Sequence, residues 1–166
     1  MKQDKRQQIE AAYHAHADEL FRYCFVRIHD REKAKECVQE TFTKVWDALY
    51  TKNIAIDNIR AYLYRTAHNT VINMATRAKI HDSLDEMYES TEFEPEDERT
   101  ASPETQAEYK EALRLVDSLP SEYAEPIIMR YINGMTTKEI ATALGESESN
   151  VSVRIHRGIK KLQEHL

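Results

Sequence analysis

Hydrophobic residues recur at helical spacing along most of the chain, and no convincing stretch alternates apolar and polar positions as a strand would. In the first half this spacing predicts three helices, over about residues 5–29, 32–49 and 59–79. The predicted buried positions of the first helix are Ile9, Tyr13, Leu20, Phe21, Cys24, Phe25 and Ile28. Those of the second are Val38, Phe42, Val45 and Leu49, and those of the third are Ile59, Leu63, Ala67, Val71 and Met74 or their immediate neighbours. The fold is therefore predicted to be all-α.

The last third of the chain carries a helix-turn-helix pattern. A short helix is predicted over residues 137–144, Gly145 supplies the tight turn after it, and Ser147 is the expected N-cap of the final helix. The apolar residues of that final helix recur at spacings of four and seven and comprise Val151, Ile155 and Leu162. Its predicted outer face comprises Ser149, Asn150, Ser152, Val153, Arg154 and Arg157. Such a face is suited to a DNA major groove.

The chemistry of this outer face supports base recognition. Arginine pairs bidentately with guanine and asparagine with adenine, serine bonds to either, and an exposed Val153 can touch a thymine methyl group. Each good bidentate pair contributes about 1–3 kcal/mol of discrimination. Lys160 and Lys161 follow where phosphates would pass. The alternative is a solvated amphipathic helix, which is less favoured because Gly145 and a cap separate two apolar helices in register.

The charge distribution favours two domains joined by a linker. Net charge is +4 over residues 1–81, −10 over residues 82–108 and 0 over residues 109–166. Residues 82–103 combine dense acid with two prolines and little apolar content, which predicts a flexible acidic linker between domains at 1–81 and 104–166. Like charges extend such a linker and repel DNA, so a basic partner other than DNA is favoured, with a merely solvated spacer as the alternative.

The polar side of the third predicted helix has an unusual composition. Its ridge at steps of four comprises Arg65, Asn69, Asn73 and Arg77. Asparagine is a poor helix former, so two in a helix interior indicate a compensating role. Amides and guanidinium groups beside Tyr62 and Tyr64 suit unpaired bases, which stack on such platforms at about 1–3 kcal/mol each. The alternative makes Tyr62 a core residue, which is favoured for that position, and Tyr64 an ordinary surface aromatic.

Catalytic and metal-binding chemistry is not indicated. The chain has no glycine-rich phosphate loop, paired catalytic carboxylates or metal-ligand cluster, so neither an enzyme nor a cofactor or metal is expected. Cys24 and Cys37 are expected in the core, and His68 and His156 are interpreted as polar groups beside nucleic acid. No apolar N-terminal region and no membrane-length stretch occurs, which predicts a cytoplasmic protein without membrane insertion.

Three segments in order resemble one known family, the extracytoplasmic-function (ECF, group IV) sigma factors of bacterial RNA polymerase. The first two are AKECVQETFTKVWDAL at residues 34–49 and RAYLYRTAHNTVIN at residues 60–73. The third is LPSEYAEPIIMRYINGMTTKEIATALG followed by SESNVSVRIHRGIKKL. The resemblance covers both predicted domains and leaves only the N-terminus and the acidic linker outside.

The resemblance implies a role for each domain. The first would be region 2, which binds the polymerase clamp and opens the minus-10 element, and the second region 4, which binds the flap and recognises the minus-35 element. Clamp contact would come from Glu36, Gln39, Glu40 and Thr43 on the outer face of the second helix. DNA contact would come from Arg65, Asn69, Asn73 and Arg77, and from Ser149, Asn150, Ser152, Val153, Arg154, Arg157 and Lys160.

Further expectations follow from the same resemblance. The loop from about Tyr50 to Asn58 would capture an extruded promoter base. The linker would pass through positively charged channels of the polymerase, and an anti-sigma protein would cover the polymerase-binding faces. Two other classes compete with a sigma factor: a DNA-binding regulator that acts without polymerase subunit exchange, and a helical adaptor that binds only proteins. The first predicts tight duplex binding by the free protein, and the second leaves Arg65, Asn69, Arg154 and Arg157 dispensable.

Overall fold

The computed structural model describes residues 2–82 and 102–165, and all regular structure in these two ranges is helical. The prediction of an all-α fold is confirmed. The chain divides into two compact units, the first built from helices α1 to α3, while helices α4 to α7 form most of the second. The acidic linker predicted for residues 82–103 lies almost wholly outside the described residues, and the domain limits at 81 and 104 stay predictions.

Three helices that pack against one another in pairs form the first unit: α1 (Lys2–Ile28), α2 (Arg31–Tyr50) and α3 (Ile59–Asp82). Both ends of each helix lie within three residues of the predicted ends. His29, with a left-handed φ of 61°, ends the helical conformation between α1 and α2. Asp30 caps α2 by accepting a hydrogen bond from the Lys33 backbone amide at 3.0 Å. Because an N-cap satisfies one of the orphan amides at a helix start, α2 begins here.

Two aromatic residues of the first unit lie opposite to their predicted positions. Tyr13, predicted to be buried, is 52% exposed, and its ring meets the edge of Phe42 with centroids 5.1 Å apart. Tyr64, predicted on the surface, is fully buried and packs edge-on against Tyr23 at 5.6 Å. Tyr64 is buried because α3 contacts both α1 and α2, so a wider arc of α3 is covered than one apolar stripe indicates.

A half-buried ion pair fastens the start of α3 to α1. The Arg60 guanidinium donates to both carboxylate oxygens of Glu19, at 2.9 and 3.4 Å. Bidentate pairs of this kind fix orientation as well as distance. Burial raises the pKa of Tyr64 well above its usual value, and the neighbouring Glu19 carboxylate adds to this effect. Tyr64 is therefore a neutral core residue at physiological pH.

Cys24 and Cys37 are core residues, as predicted. Both thiols are fully buried between α1 and α2, and Cys24 donates to the Cys37 sulfur at 3.1 Å. That hydrogen bond lowers the pKa of Cys37, while burial acts in the opposite direction. Thr41 also donates from its hydroxyl to the Cys37 carbonyl at 2.7 Å, which satisfies a buried polar group without opening the core.

The second unit comprises α4 (Pro103–Ser118), α5 (Ser121–Ile127), α6 (Thr137–Leu144) and α7 (Glu148–Glu164). Ser102 caps α4, with Pro103 at the first helical position. A π-helical turn, Ile128–Ile132, continues α5 directly after Ile127.

Gly158 sets how closely α7 approaches α5. It is buried, and a Cβ atom at this position would lie 2.4 Å from Ile127 Cδ1 and 3.2 Å from Tyr123 Cβ. Ile127 is itself buried, which limits how far its side chain can move away. Glycine lowers the helix propensity of α7 at this position but permits close contact between α7 and α5.

Gly158→Ala is expected to destabilise the second unit by about 1–3 kcal/mol, the usual cost of overpacking, although alanine is the better helix former. Hydrogen exchange of the α5 and α7 amides in the full chain measures the effect. Ile127→Val removes the atom that clashes. In this background the alanine is expected to cost at least about 1 kcal/mol less. Unchanged or slower exchange in Gly158→Ala alone would contradict the close contact.

Candidate nucleic-acid interface

The predicted ridge of α3 is exposed along its whole length. Arg65, Asn69, Asn73 and Arg77 lie one helical turn apart on the solvent side. The opposite side of α3 is buried through Leu63, Ala67 and Val71. The ridge therefore offers amide and guanidinium donors from a helix whose other side is held by the core.

Two further residues border this ridge. Ile72 is 46% exposed beside Asn73, an apolar side chain that the periodicity did not single out. His68 is half-buried, and its Nδ1 lies 3.3 Å from the hydroxyl of the fully buried Tyr23. The histidine is thus anchored to the core at the base of the ridge. His68 is interpreted from the sequence as a polar group beside nucleic acid, which stays a prediction, whereas the exposure of Ile72 was not predicted.

The outer face of α2 combines polar residues with an exposed aromatic pair. Glu36, Gln39 and Thr43 are exposed, and Glu40 is half-exposed. Trp46 continues this stripe one turn on; it is 40% exposed and stacks on Tyr50 with ring centroids 4.2 Å apart. Aromatic area of this kind is enriched at protein interfaces. The sequence analysis missed Trp46, although its spacing of three from Thr43 was a usable signal.

Glu40 is linked to α3 through Lys44. The Lys44 ammonium lies 3.2 Å from the Glu40 carboxylate and donates to the Thr70 hydroxyl at 3.2 Å. The negative charge of Glu40 is therefore partly neutralised within the unit. Consequently, the α2 face is less acidic than its sequence indicates.

The segment between α2 and α3 is fixed at both ends. At its start the Lys52 and Ile54 amides donate to the Asp47 and Ala48 carbonyls of α2, at 3.1 and 2.9 Å. At its end the Asn58 side chain accepts from the Ala61 amide at 3.1 Å, in the first turn of α3. The residues between these anchors are exposed or half-buried. The geometry is that of an open loop on a rigid base.

The helix-turn-helix of the second unit is formed as predicted at its turn. α6 has the predicted bounds, Gly145 adopts a left-handed φ of 69°, and Ser147 accepts a hydrogen bond from the Asn150 amide at 3.1 Å. Glycine reaches this φ without a Cβ clash. Of the three predicted apolar residues of α7, Val151 is fully buried, whereas Ile155 and Leu162 are half-buried.

Six of the seven predicted DNA-contacting residues of α7 are exposed, and Arg154 differs. The exposed six are Ser149, Asn150, Ser152, Val153, Arg157 and Lys160. The side chain of Arg154 is 33% exposed, and its Nη2 lies 2.5 Å from Glu146 Oε1 in the turn before α7. The other Glu146 oxygen is buried and accepts no hydrogen bond within the described ranges. The sequence analysis missed Glu146, because a separation of eight residues across a turn follows no helical spacing.

Lys161 also has a partner inside the second unit. Its ammonium lies 5.5 Å from the centroid of the Tyr123 ring of α5, a cation–π distance. We expected Lys161 near phosphates. Lys161 is exposed like Lys160 beside it, and its ammonium additionally contacts the Tyr123 ring of α5.

Within residues 2–82 and 102–165, no group of three or more histidine, cysteine or acidic side chains is arranged to hold a metal ion. No helix in these same ranges is long and apolar enough to cross a membrane.

Family models match both units. The model described as Sigma-70 region 2 matches residues 12–80, and that described as Sigma-70, region 4 matches residues 109–162. The RNA polymerase sigma factor YlaC of Bacillus subtilis (strain 168) is 30% identical over 166 residues, covering 97% of this chain and 93% of the relative. The ECF RNA polymerase sigma factor SigL of Mycobacterium tuberculosis (strain ATCC 25618 / H37Rv) is 29% identical over 158 residues, covering 93% and 86%.

Solved structures share the fold. CnrH, in complex with the cytosolic domain of CnrY, is similar with a TM-score of 0.70 at 21% identity, covering 96% of this chain and 87% of that one. The sigma factor RpoE of Bartonella quintana, in complex with the anti-sigma factor NepR, gives 0.71 at 20% identity, covering 97% and 95%. The region 2 and region 4 matches, together with the relatives YlaC and SigL, establish that the chain belongs to the sigma-70 family, as an ECF-type RNA polymerase sigma factor that acts in transcription initiation.

Proposed function

We propose that the two units divide promoter recognition, the first acting as the minus-10 unit and the second as the minus-35 unit of a group IV sigma factor. The exposed ridge of α3 is the observation that carries this proposal. Its amides and guanidinium groups, mounted on a helix fixed by the Glu19–Arg60 pair, suit unpaired bases and the phosphates between them. Arg65 and Asn69 contact the separated strand, and Asn73 and Arg77 extend the same contact.

The outer face of α2 docks on the polymerase clamp. Glu36, Gln39, Glu40 and Thr43 supply its polar contacts, and the Trp46–Tyr50 stack adds aromatic area. Tryptophan and tyrosine supply much of the binding energy at protein interfaces when they become desolvated. The α2 face and the α3 ridge thus carry separate functions on one three-helix unit.

The α7 helix enters the major groove of the minus-35 element. Ser149, Asn150, Ser152, Val153 and Arg157 contact base edges, Arg154 contacts DNA from its pair with Glu146, and Lys160 contacts a phosphate. The loop at about 50–58 captures a base extruded from the minus-10 element. The acidic segment 82–103 passes through a basic channel of the polymerase, which also supplies most of the affinity for DNA.

The protein acts in the cytoplasm, without a catalytic activity or cofactor of its own, and an anti-sigma protein regulates it. The regulatory proposal is supported by RpoE of Bartonella quintana, a sigma factor of similar fold whose structure is a complex with the anti-sigma factor NepR. Such a partner would cover the faces that contact the polymerase, because the same surface cannot bind both at once.

Run-off transcription from a promoter library tests the function as a whole. Purified bacterial core polymerase is assayed with and without the protein, and with another sigma factor as a positive control. We expect transcripts that depend on the protein and start downstream of shared two-part motifs. Dependence on one motif alone would contradict the division of recognition. No dependent transcript from a competent core would favour a DNA-binding regulator or an adaptor.

Substitutions in the two units are expected to separate the two recognition steps. Asn69→Ala removes a contact to unpaired bases and lowers strand opening by about 1–3 kcal/mol, while discrimination between minus-35 sequences is kept. Arg157→Ala lowers minus-35 discrimination by about 1–3 kcal/mol. Permanganate footprints measure opening, and competition binding to core polymerase is expected to match wild type for both variants.

Arg114→Ala provides the matched control for Arg157→Ala, since Arg114 lies on α4 with an 81% exposed side chain outside the proposed contacts. Wild-type behaviour is expected of it. Loss of core binding in folded Asn69→Ala or Arg157→Ala would show that these residues serve another step.

The Glu146–Arg154 pair is expected to show energetic coupling. Arg154→Ala leaves the half-buried Glu146 carboxylate uncompensated beside DNA, so promoter binding weakens through both lost contact and repulsion. Glu146→Gln in the same chain removes the repulsion and is expected to restore about 1 kcal/mol of binding. Fluorescence anisotropy of holoenzyme with labelled promoter measures binding by the wild type, the two single variants and the double variant, which together form a double-mutant cycle. Additive effects would exclude coupling, and Arg157→Ala with Glu146→Gln is the additive reference.

A further inference from the structure

Lys5, near the start of α1, reaches the segment that follows α2. Its ammonium donates to the Leu49 carbonyl at 3.0 Å and to the Asn53 side-chain oxygen. The region 2 match begins at residue 12, so Lys5 lies outside it. This contact is a feature of the chain that the family match does not cover.

The contact with Leu49 has a clear electrostatic basis. Leu49 belongs to the last turn of α2, where carbonyl groups lack amide partners further along the helix. The helix dipole also places partial negative charge there, which favours a cation. The last turn of α2 contains no basic residue of its own. Lys5 therefore supplies the positive charge at this helix end from a neighbouring helix.

The contact with Asn53 fixes a turn of unusual backbone conformation. Asn53 has a φ of 53°, in the left-handed region that asparagine tolerates better than most residues. The flanking amides of Lys52 and Ile54 are bonded back to α2. Through Lys5, the Asn53 side chain is bonded to α1 as well. The turn is thus attached to two helices of the core.

We propose that Lys5 is a positioning residue for base selection at the minus-10 element, acting through Asn53 on the loop at 51–58. The inference rests on the proposed function, in which this loop captures an extruded base. A pocket returns the few kcal/mol of base unstacking only if its walls are already in place. Lys5 fixes the position of Asn53 in the loop through a hydrogen bond from α1. Its loss would therefore allow the loop to accept more than one base.

Lys5→Met keeps the aliphatic length and removes the donors, whereas Lys5→Arg keeps a charged donor. Asn53→Gly removes the acceptor and still tolerates the positive φ. Run-off transcription by the reconstituted holoenzyme is measured on four promoters that differ only at the extruded base. For Lys5→Met and Asn53→Gly we expect the preference for the favoured base to fall about tenfold, the size of one charged hydrogen bond.

Three comparisons separate positioning from a general loss of structure. The double variant is expected to be no worse than either single variant, Lys5→Arg to retain most of the preference, and minus-35 discrimination to stay at the wild-type level. Arg6→Met is the matched control, because Arg6 pairs with Glu10 on its own helix at 3.1 Å. An equal loss of transcription on all four promoters, or an unchanged preference in Lys5→Met, would overturn the proposal.

Hydrogen exchange of the Thr51, Lys52 and Ile54 amides in the free protein gives a readout independent of transcription. Faster exchange in Lys5→Met, with the amides in the first half of α2 unchanged, supports the contact with the loop. If the wild type shows no base preference on the four promoters while exchange becomes faster in Lys5→Met, the proposed function of the loop fails. The contact of Lys5 with the loop is then still supported. If exchange of these amides is unchanged in Lys5→Met, the proposed role of Lys5 in positioning the loop is refuted.

Discussion

The burial of one apolar stripe on every helix of the first unit is the constraint on which its surfaces depend. α3 packs against both α1 and α2, and its buried side runs from Ala61 to Val71 opposite Arg65 and Asn69. Small buried residues such as Ala61 and Ala67 allow this close approach. The Glu19–Arg60 pair then fixes α3 at its N-terminus. The ridge owes its position to packing on the opposite side of the same helix.

Charged groups at the candidate interfaces are partly committed to partners within the chain. Arg154 is paired with Glu146, and Lys44 joins Glu40 to Thr70 across two helices. Such pairs contribute little to stability at an exposed surface. They do restrict side-chain rotation, which lowers the entropy lost on binding. In this protein we therefore assign them to orientation, and the stability of the units to the packed helices.

Sequence alone predicted what depends on nearby residues. The bounds of α6, the left-handed Gly145 and the Ser147 cap all follow from a few consecutive positions, as do the four exposed residues of the α3 ridge. Several of the errors and omissions depend instead on residues that are distant in the sequence. Tyr64 is buried because α3 has two neighbours, and the partners of Arg154 and Lys5 lie across a turn or on another helix.

The proposed split of recognition between two units has a consequence for the free protein. Each unit offers only a few base contacts, and residues 82–108 between the proposed contacts carry a net charge of −10, within a chain of net charge −6. The long-range field therefore opposes approach to DNA, and counterion release at a few basic residues gives little compensation at physiological salt. A polymerase that binds the acidic segment and both units would remove this repulsion and make the second contact intramolecular. Under the proposed division of recognition, promoter selectivity would arise in the assembled enzyme, and the repulsion between the acidic segment and DNA would keep the free chain from occupying promoters unproductively.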